Sequence, residues 1–158
     1  MTTATLSVTH TESITLNNRE QGGTKTYTIA SIADVYKRTV TCPAGSDTTV
    51  ATFQTLTSTS DNALDLELTK YIRVTNLDAS NSVNLSLQVA GAEGGTANMS
   101  TTILLAAGET FTMGVPHDGI GIDDDAAGII TSLNDLESIL IDPGSNAVAV
   151  EVFVASTA

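Results

Sequence analysis

The sequence predicts an all-β protein, an antiparallel β-sandwich or jelly roll with at most one short helix. Three observations support this prediction. Apolar and polar residues alternate with a period of two in runs that recur about every ten residues, which is typical of half-buried strands. Threonine occurs 26 times and the apolar residues are mainly Val, Ile, Leu and Ala, a composition that suits pleated sheets better than helices. Residues that favour tight turns separate the runs.

The alternating runs place the strands in order along the chain. We expect strands at residues 4–8, 13–16, 24–29, 35–41, 48–53, 63–68, 71–76, 82–89, 101–105, 110–115, 136–141 and 148–154. Turns between them are marked by Gly, Pro, Asn, Asp and Ser, at residues 17–18, 22–23, 43–45, 78–81, 94–95, 107–108 and 142–146. Only the segment 126–137 allows a short helix, and Gly128 with the β-branched residues after it weakens that candidate.

Two pairs of neighbouring strands look like hairpins. Strand 71–76 turns through 78–81 into strand 82–89, and strand 136–141 turns through 142–146 into strand 148–154. Alternation predicts the buried faces of these strands. The inward sets are Ile72, Val74 and Asn76; Val83, Leu85, Leu87 and Val89; and Val148, Val150, Val152 and Val154.

The chain of 158 residues is long enough to bury one substantial core, so we expect a single domain over residues 1–158. Residues 1–23 are polar enough to form an extended N-terminal arm, or they form an ordinary pair of strands. The N-terminus lacks the cationic and apolar regions of a signal peptide. No window approaches the roughly 18 apolar residues of a membrane-spanning helix.

Charge is segregated along the chain. The net charge is −12, and all six basic residues precede Val74, whereas eleven of the 18 acidic residues follow it. Binding to nucleic-acid phosphates or to anionic membranes needs clustered cations, so neither is expected as a partner. The asymmetry predicts an acidic outer surface.

A loop rich in aspartate is the strongest candidate for a metal site. Carboxylates at Asp118, Asp123, Asp124 and Asp125 offer the oxygen ligands that calcium prefers, although their spacing does not match an EF-hand loop. The alternative is a solvated surface loop, because three adjacent aspartates cannot all converge from an extended backbone. His10 and His117 are far apart in sequence, so zinc lacks a ligand set.

No pattern predicts catalysis or a cofactor. The sequence contains no Gly-x-Ser-x-Gly elbow, and a glycosidase normally lines its cleft with aromatic residues, whereas this chain has no Trp. The single cysteine, Cys42, cannot form an internal disulfide and ends an apolar alternation, so we expect it to be buried and inert. We therefore expect a protein that is not an enzyme.

Lys37, Arg38, Lys70 and Arg73 form the main local concentrations of positive charge. Such pairs are commonly ordinary residues of a strand face. They are also candidates for contacts between the subunits of an assembly, because ion pairs across an interface orient neighbouring molecules.

Several segments resemble small β-sandwich virion proteins of tailed bacteriophages, particularly those of marine and cyanobacterial hosts. The segments that carry the resemblance span most of the chain and lie at residues 28–32, 35–40, 71–78, 106–111, 136–139 and 150–155. They are structural β-sandwich features and contain no catalytic motif.

The resemblance implies a structural role in the virion, after assembly in the host cytoplasm. Such proteins are capsid decoration or cement subunits, with the major capsid protein as partner, or belong to the tail. Decoration is the preferred prediction, and a homotrimer at a threefold position is the expected assembly. The alternatives are a tail, neck, baseplate or host-recognition protein, and, from another class, a calcium-dependent adhesin or carbohydrate-active domain.

Overall fold

The computed structural model describes residues 2–55, 63–90, 99–123 and 127–158. Its regular secondary structure is entirely β over these residues, as the sequence predicts. The strands are β1 (Ala4–Glu12), β2 (Thr15–Leu16), β3 (Arg19–Glu20), β4 (Gly23–Cys42), β5 (Thr48–Gln54), β6 (Leu64–Asp65), β7 (Thr69–Asn76), β8 (Val83–Val89), β9 (Met99–Leu105), β10 (Thr110–Met113), β11 (Leu136–Asp142) and β12 (Val148–Thr157). None of the described residues forms a helix that could cross a membrane.

Two five-stranded sheets form the body of the molecule. The front sheet has the order β1-β4-β12-β7-β10 and the back sheet has the order β6-β5-β11-β8-β9. Without β1 and β6, the eight remaining strands have the strand order of a jelly roll, with β4-β12-β7-β10 in one sheet and β5-β11-β8-β9 in the other. Pairing is antiparallel throughout both sheets, apart from the two-residue parallel contact between β5 and β6. The predicted fold class is therefore confirmed.

The inward-facing side chains of both sheets share one hydrophobic core. The four valines predicted to point inward from β12 are at most 1% exposed, and so are Ile72, Val74, Leu85, Ile139 and Ile141. Burying side chains of this size contributes about 1.5–3 kcal/mol each, so these alternating positions supply much of the free energy of folding. The inward faces predicted for β7, β8 and β12 are confirmed.

The two predicted hairpins are wrong. β7 lies in the front sheet beside β12 and β10, whereas β8 lies in the back sheet beside β11 and β9. β11 and β12 are likewise in different sheets. Each turn carries the chain from one sheet to the other, so the paired apolar faces meet through the shared core instead of lying side by side.

β4 is a continuous strand of 20 residues where the sequence predicts two strands. Its second half, from Ile32 to Cys42, pairs with β12, and its first half, from Gly23 to Ile32, pairs with β1. The change of partner coincides with a bulge, and Ser31 adopts a positive φ of 61° there. A bulge of this kind bends the strand without ending it.

The N-terminal segment, up to residue 32, forms an element that we call the ribbon, made of β1, residues 23–32 of β4 and the connecting hairpin β2-β3. Its base packs on the outer side of the front sheet, where Val8 and Ile32 join Tyr71 and Ala155 in a second, smaller apolar cluster. Residues 23–28, farther along the ribbon, are all exposed. The segment 1–23, considered as an arm or as ordinary strands, thus contributes β1, β2 and β3 to this ribbon.

Candidate functional site

An ion cluster lies on the outer surface of the front sheet. The Glu151 carboxylate contacts the Lys37 Nζ atom at 3.3 Å through Oε2, and the Arg73 guanidinium through Oε1. The Glu151 side chain is 19% exposed, and that of Lys37 is 58% exposed. Two cations therefore share one partly buried carboxylate, which leaves one positive charge in excess on this surface.

Strand register brings these residues together. Phe153 of β12 pairs with Lys37 on one side and with Arg73 on the other, and Glu151 lies one row away between Thr39 and Thr75. Diagonal neighbours on one face of a sheet are within reach of long side chains, so both cations can lean towards Glu151.

The partners of Glu151 set its ionisation. Burial disfavours the charged form, but hydrogen bonds from Arg73 and Lys37 outweigh that effect and hold the pKa of the Glu151 carboxyl below its ordinary value. The Arg73 guanidinium also lies over the Phe153 ring, 5.7 Å from its centre, and donates a hydrogen bond of 3.2 Å to the Thr75 hydroxyl. Arg73 is thereby fixed in place, whereas Lys37 has a single contact with Glu151.

The four basic residues predicted as contact points separate into different places. Lys37 and Arg73 meet at Glu151, as described. Arg38 points to the other side of β4, where it lines a cleft of about 580 Å³ between β4 and β5. The Lys70 ammonium donates a hydrogen bond of 2.7 Å to the Glu67 carbonyl oxygen. Sequence reasoning missed Glu151, whose only signal was a lone charge inside an apolar alternating strand.

The tip of the ribbon is tightly organised despite its exposure. The Glu20 carboxylate accepts hydrogen bonds from the Gly22 and Ile14 amides, at 2.8 and 3.1 Å, and from the Thr15 hydroxyl at 3.2 Å. These bonds, of which those from Gly22 and Ile14 contribute most, lower the pKa of Glu20. The turn uses Asn17 and Asn18 with φ values of 53° and 58°, as a tight hairpin requires.

Two aliphatic side chains project from this ordered tip. Ile14 is 54% exposed and Leu16 is 53% exposed. The backbone that carries them is held by the Glu20 bonds and by a bond of 2.9 Å from the Gln21 amide to the Ile14 carbonyl oxygen. The tip thus presents apolar surface on a rigid support.

The predicted calcium loop is only partly assembled. Asp118 lies beside His117 and Asp135, with His117 Nε2 at 3.3 Å from Asp118 Oδ2 and His117 Nδ1 at 3.0 Å from Asp135 Oδ1. One ligand atom from each of these three residues could reach a shared ion. Asp123 does not belong to this group, and Asp124 and Asp125 lie outside the described residues.

Asp135, which the sequence did not single out, is carried to His117 by a bridge between Ile120 and Asn134. All three side chains of the group are at least one-third exposed. Exposed carboxylates of this kind are strongly hydrated, so an ion held there would have to compete with water.

Cys42 occupies the core. Its side chain is fully buried, and burial raises the pKa of the thiol while a hydrogen bond with Thr48 opposes the shift. Because the thiolate is the reactive form, the predicted inert and buried character of Cys42 agrees with this environment.

Comparisons with known proteins do not identify a family for this chain. No protein-family model matches the chain, and no curated protein matches it in sequence. Among solved structures, it is similar to one described as "Bacillus endospore appendages form a novel family of disulfide-linked pili", with a TM-score of 0.35 and 10% sequence identity. The match covers 78% of this chain and 89% of that chain, and similarity at this level carries no argument about function.

Proposed function

We propose that this protein is a non-enzymatic structural subunit of a tailed-bacteriophage virion. Its preferred role is capsid decoration, in which it bridges and stabilises neighbouring copies of the major capsid protein. The observation that carries the proposal is the ribbon, which ends in a rigid tip with two exposed aliphatic side chains, Ile14 and Leu16.

A tip of this construction suits docking. Ordering an exposed segment costs conformational entropy, and here Glu20 offsets that cost before any partner arrives. A preorganised contact loses less entropy on binding than a flexible one. The partner that fits is a folded protein with an apolar depression, which would cover Ile14 and Leu16.

The architecture is compatible with this role. Jelly rolls recur in viral capsid proteins and in lectins, so the fold admits the function without establishing it. The ion cluster at Glu151 and the ribbon tip are separate surfaces, which a subunit that touches more than one neighbour requires.

Binding to capsids tests the proposal. Purified capsids of the encoding phage, stripped of this protein, are mixed with the protein and sedimented. The double variant Ile14→Ser with Leu16→Ser should bind at least about tenfold more weakly, because burial of each aliphatic side chain is worth about 1.5–3 kcal/mol. Ile129→Ser, which removes a 94% exposed aliphatic outside the ribbon, is the matched control.

Unchanged capsid binding by the double variant, with an unchanged melting temperature, would remove the ribbon from the mechanism. Absence of binding by the unsubstituted protein would instead favour a tail, neck, baseplate or host-recognition role.

A calcium-dependent adhesin or carbohydrate-active domain is the competing class. His117, Asp118 and Asp135 are the residues through which it would bind a cation. Light scattering after size-exclusion chromatography, with and without EDTA, separates the two. A chelator-insensitive trimer agrees with the decoration subunit, whereas dissociation or unfolding in EDTA would transfer support to the cation-dependent class.

A further inference from the structure

The segregation of charge along the sequence becomes a segregation between the two sheets. Five of the six basic residues lie on strands of the front sheet, namely Lys25, Lys37, Arg38, Lys70 and Arg73. The strands of the back sheet, all of which the structure describes, carry no Lys or Arg. Of these five, Lys37 and Arg73 lie on the outer surface of the front sheet beside Glu151, so the two outer surfaces of the sandwich differ in electrostatic character.

The back sheet has an acidic depression on its outer surface. It has a volume of about 230 Å³ and is lined by Asp47, Asn84, Ser86, Gln88, Thr102, Leu140 and Asp142. We call this surface the back patch. Asp47 is exposed, and Asp142 accepts hydrogen bonds from the Gly144 amide at 2.8 Å and from Asn84 at 3.4 Å. Neither carboxylate is within salt-bridge distance of a Lys or Arg among the described residues.

The front sheet offers the complementary surface, which we call the front patch: Lys37, Thr39, Arg73, Thr75 and Glu151. Its two cations share one carboxylate, so it carries an excess positive charge, and Lys37 can extend into solvent. Apolar groups lie beside both patches. Val35 is 49% exposed near the front patch, and Leu104 is 64% exposed near the back patch, where it pairs with Asn84.

We propose that the front patch of one copy docks on the back patch of a second copy, with Lys37 of the first facing Asp47 and Asp142 of the second. Charge complementarity selects this arrangement. A two-fold dimer through either patch would oppose like charges, whereas a head-to-tail contact opposes unlike charges. Because the two patches lie on opposite faces of the sandwich, repeated contacts of this type continue as a row of copies instead of closing into a small ring. The inference concerns contact between copies and does not depend on the capsid as partner.

The first test is the salt dependence of self-association. Sedimentation velocity and light scattering are measured on the full chain in 50 mM and 500 mM NaCl. Because the screening length falls from more than about 10 Å to less than about 8 Å, the dissociation constant should rise at least about tenfold at the higher salt concentration. A protein that is monomeric at both salt concentrations up to millimolar protein, or whose association is indifferent to salt, would overturn the proposal.

Charge reversal supplies the sharper test. Lys37→Glu and Asp47→Lys should each raise the dissociation constant at least tenfold when studied alone, because each sets like charges against one another. An equimolar mixture should recover association, since the reversed front patch of one variant meets the reversed back patch of the other and the remaining two patches are native. Recovery in the mixture is specific to a head-to-tail contact.

Controls separate this contact from other effects. Lys25→Glu and Glu12→Lys reverse exposed charges on the ribbon and should leave association unchanged. Lys37→Gln avoids placing a second carboxylate beside Glu151 and should weaken association if Lys37→Glu proves unstable. Failure of the mixture to recover, with both variants folded, would refute the head-to-tail contact. It would leave capsid binding through Ile14 and Leu16 unaffected, so the two proposals fail separately.

Discussion

Replacement of Asn76 tests whether its buried side-chain amide holds together two connections that cross from one sheet to the other. Asn76 ends β7 and is fully buried. Its Nδ2 group donates to the carbonyl oxygens of Asn81, Leu105 and Ala106, at 2.8, 3.2 and 3.1 Å, and its Oδ1 accepts from the Asp78 amide at 3.0 Å. These partners lie on the connection from β7 to β8 and at the start of the connection from β9 to β10.

The magnitude follows from which groups Asn76→Ala would leave unpaired. The Leu105 carbonyl bond is buried, whereas the bonds to Asn81, Ala106 and Asp78 are partly buried and can be replaced by water in part. A buried group without a partner costs about 1–3 kcal/mol, and the loss of side-chain volume adds to it. We expect Asn76→Ala to lower the free energy of unfolding by about 3 kcal/mol. For a domain of this size that corresponds to a fall of about 6–12 °C in melting temperature.

Asn76→Asp should cause a loss of stability that depends on pH. The introduced carboxylate would face three carbonyl oxygens, so its pKa in the folded state would lie above the unfolded value. The penalty should therefore be small at low pH, where the group is protonated and can donate, and should grow as the pH rises through the unfolded pKa. Urea unfolding followed by circular dichroism, between pH 4 and pH 8, measures both variants.

Asn84→Ala is the control, because it makes the same change at an exposed asparagine on β8 and should alter stability by less than about 0.5 kcal/mol. If the free energy of unfolding of Asn76→Ala also stayed within about 0.5 kcal/mol of that of the unsubstituted protein, the hydrogen bonds of Asn76 would not be holding the two connections together. If the loss of stability caused by Asn76→Asp, relative to the unsubstituted protein, were the same at pH 4 and pH 8, the proposed carbonyl environment would be incorrect.

Three further predictions concern other parts of the molecule. The pKa of Glu151 is held below its ordinary value of 4.5, so its ion pairs stabilise the fold above that pH and this stabilisation is lost as the pH falls below it. Glu151→Gln should lower the free energy of unfolding by at most about 1 kcal/mol at pH 7. It should also flatten the acid side of a plot of melting temperature against pH. An equal acid side in both proteins would contradict this assignment. Gly22→Ala would drive a Cβ atom into the Glu12 carbonyl oxygen, so amide exchange at Ile14 and Gly22 should accelerate while core amides stay protected. Gly23→Ala, whose Cβ atom meets no atom within 4 Å, should have no such effect. Cys42 should react with a thiol reagent only through unfolding, so its labelling rate should rise with urea, and rapid labelling of the native protein would place the thiol outside the core.

Local patterns were sufficient to predict most of the strands and the buried faces of β7, β8 and β12. Alternation with a period of two assigns Val148, Val150, Val152 and Val154 to one side of β12 wherever that strand lies. Turns are also determined by local sequence. Gly45, Gly108 and Gly144 all adopt positive φ at predicted turns. The same reasoning located Cys42 in the core and Asn76 on the inward face.

The sequence by itself thus determined an all-β chain, its apolar faces and its uneven distribution of charge. Only the tertiary structure decided which strands are neighbours, because an inward apolar face is satisfied equally by a partner beside it or by one across the core. That choice separated β7 from β8 and β11 from β12. It also placed Glu151 between Lys37 and Arg73, residues far apart in sequence that meet because β4 and β7 flank β12. Ion pairs of this kind depend on long-range register, which no local pattern records.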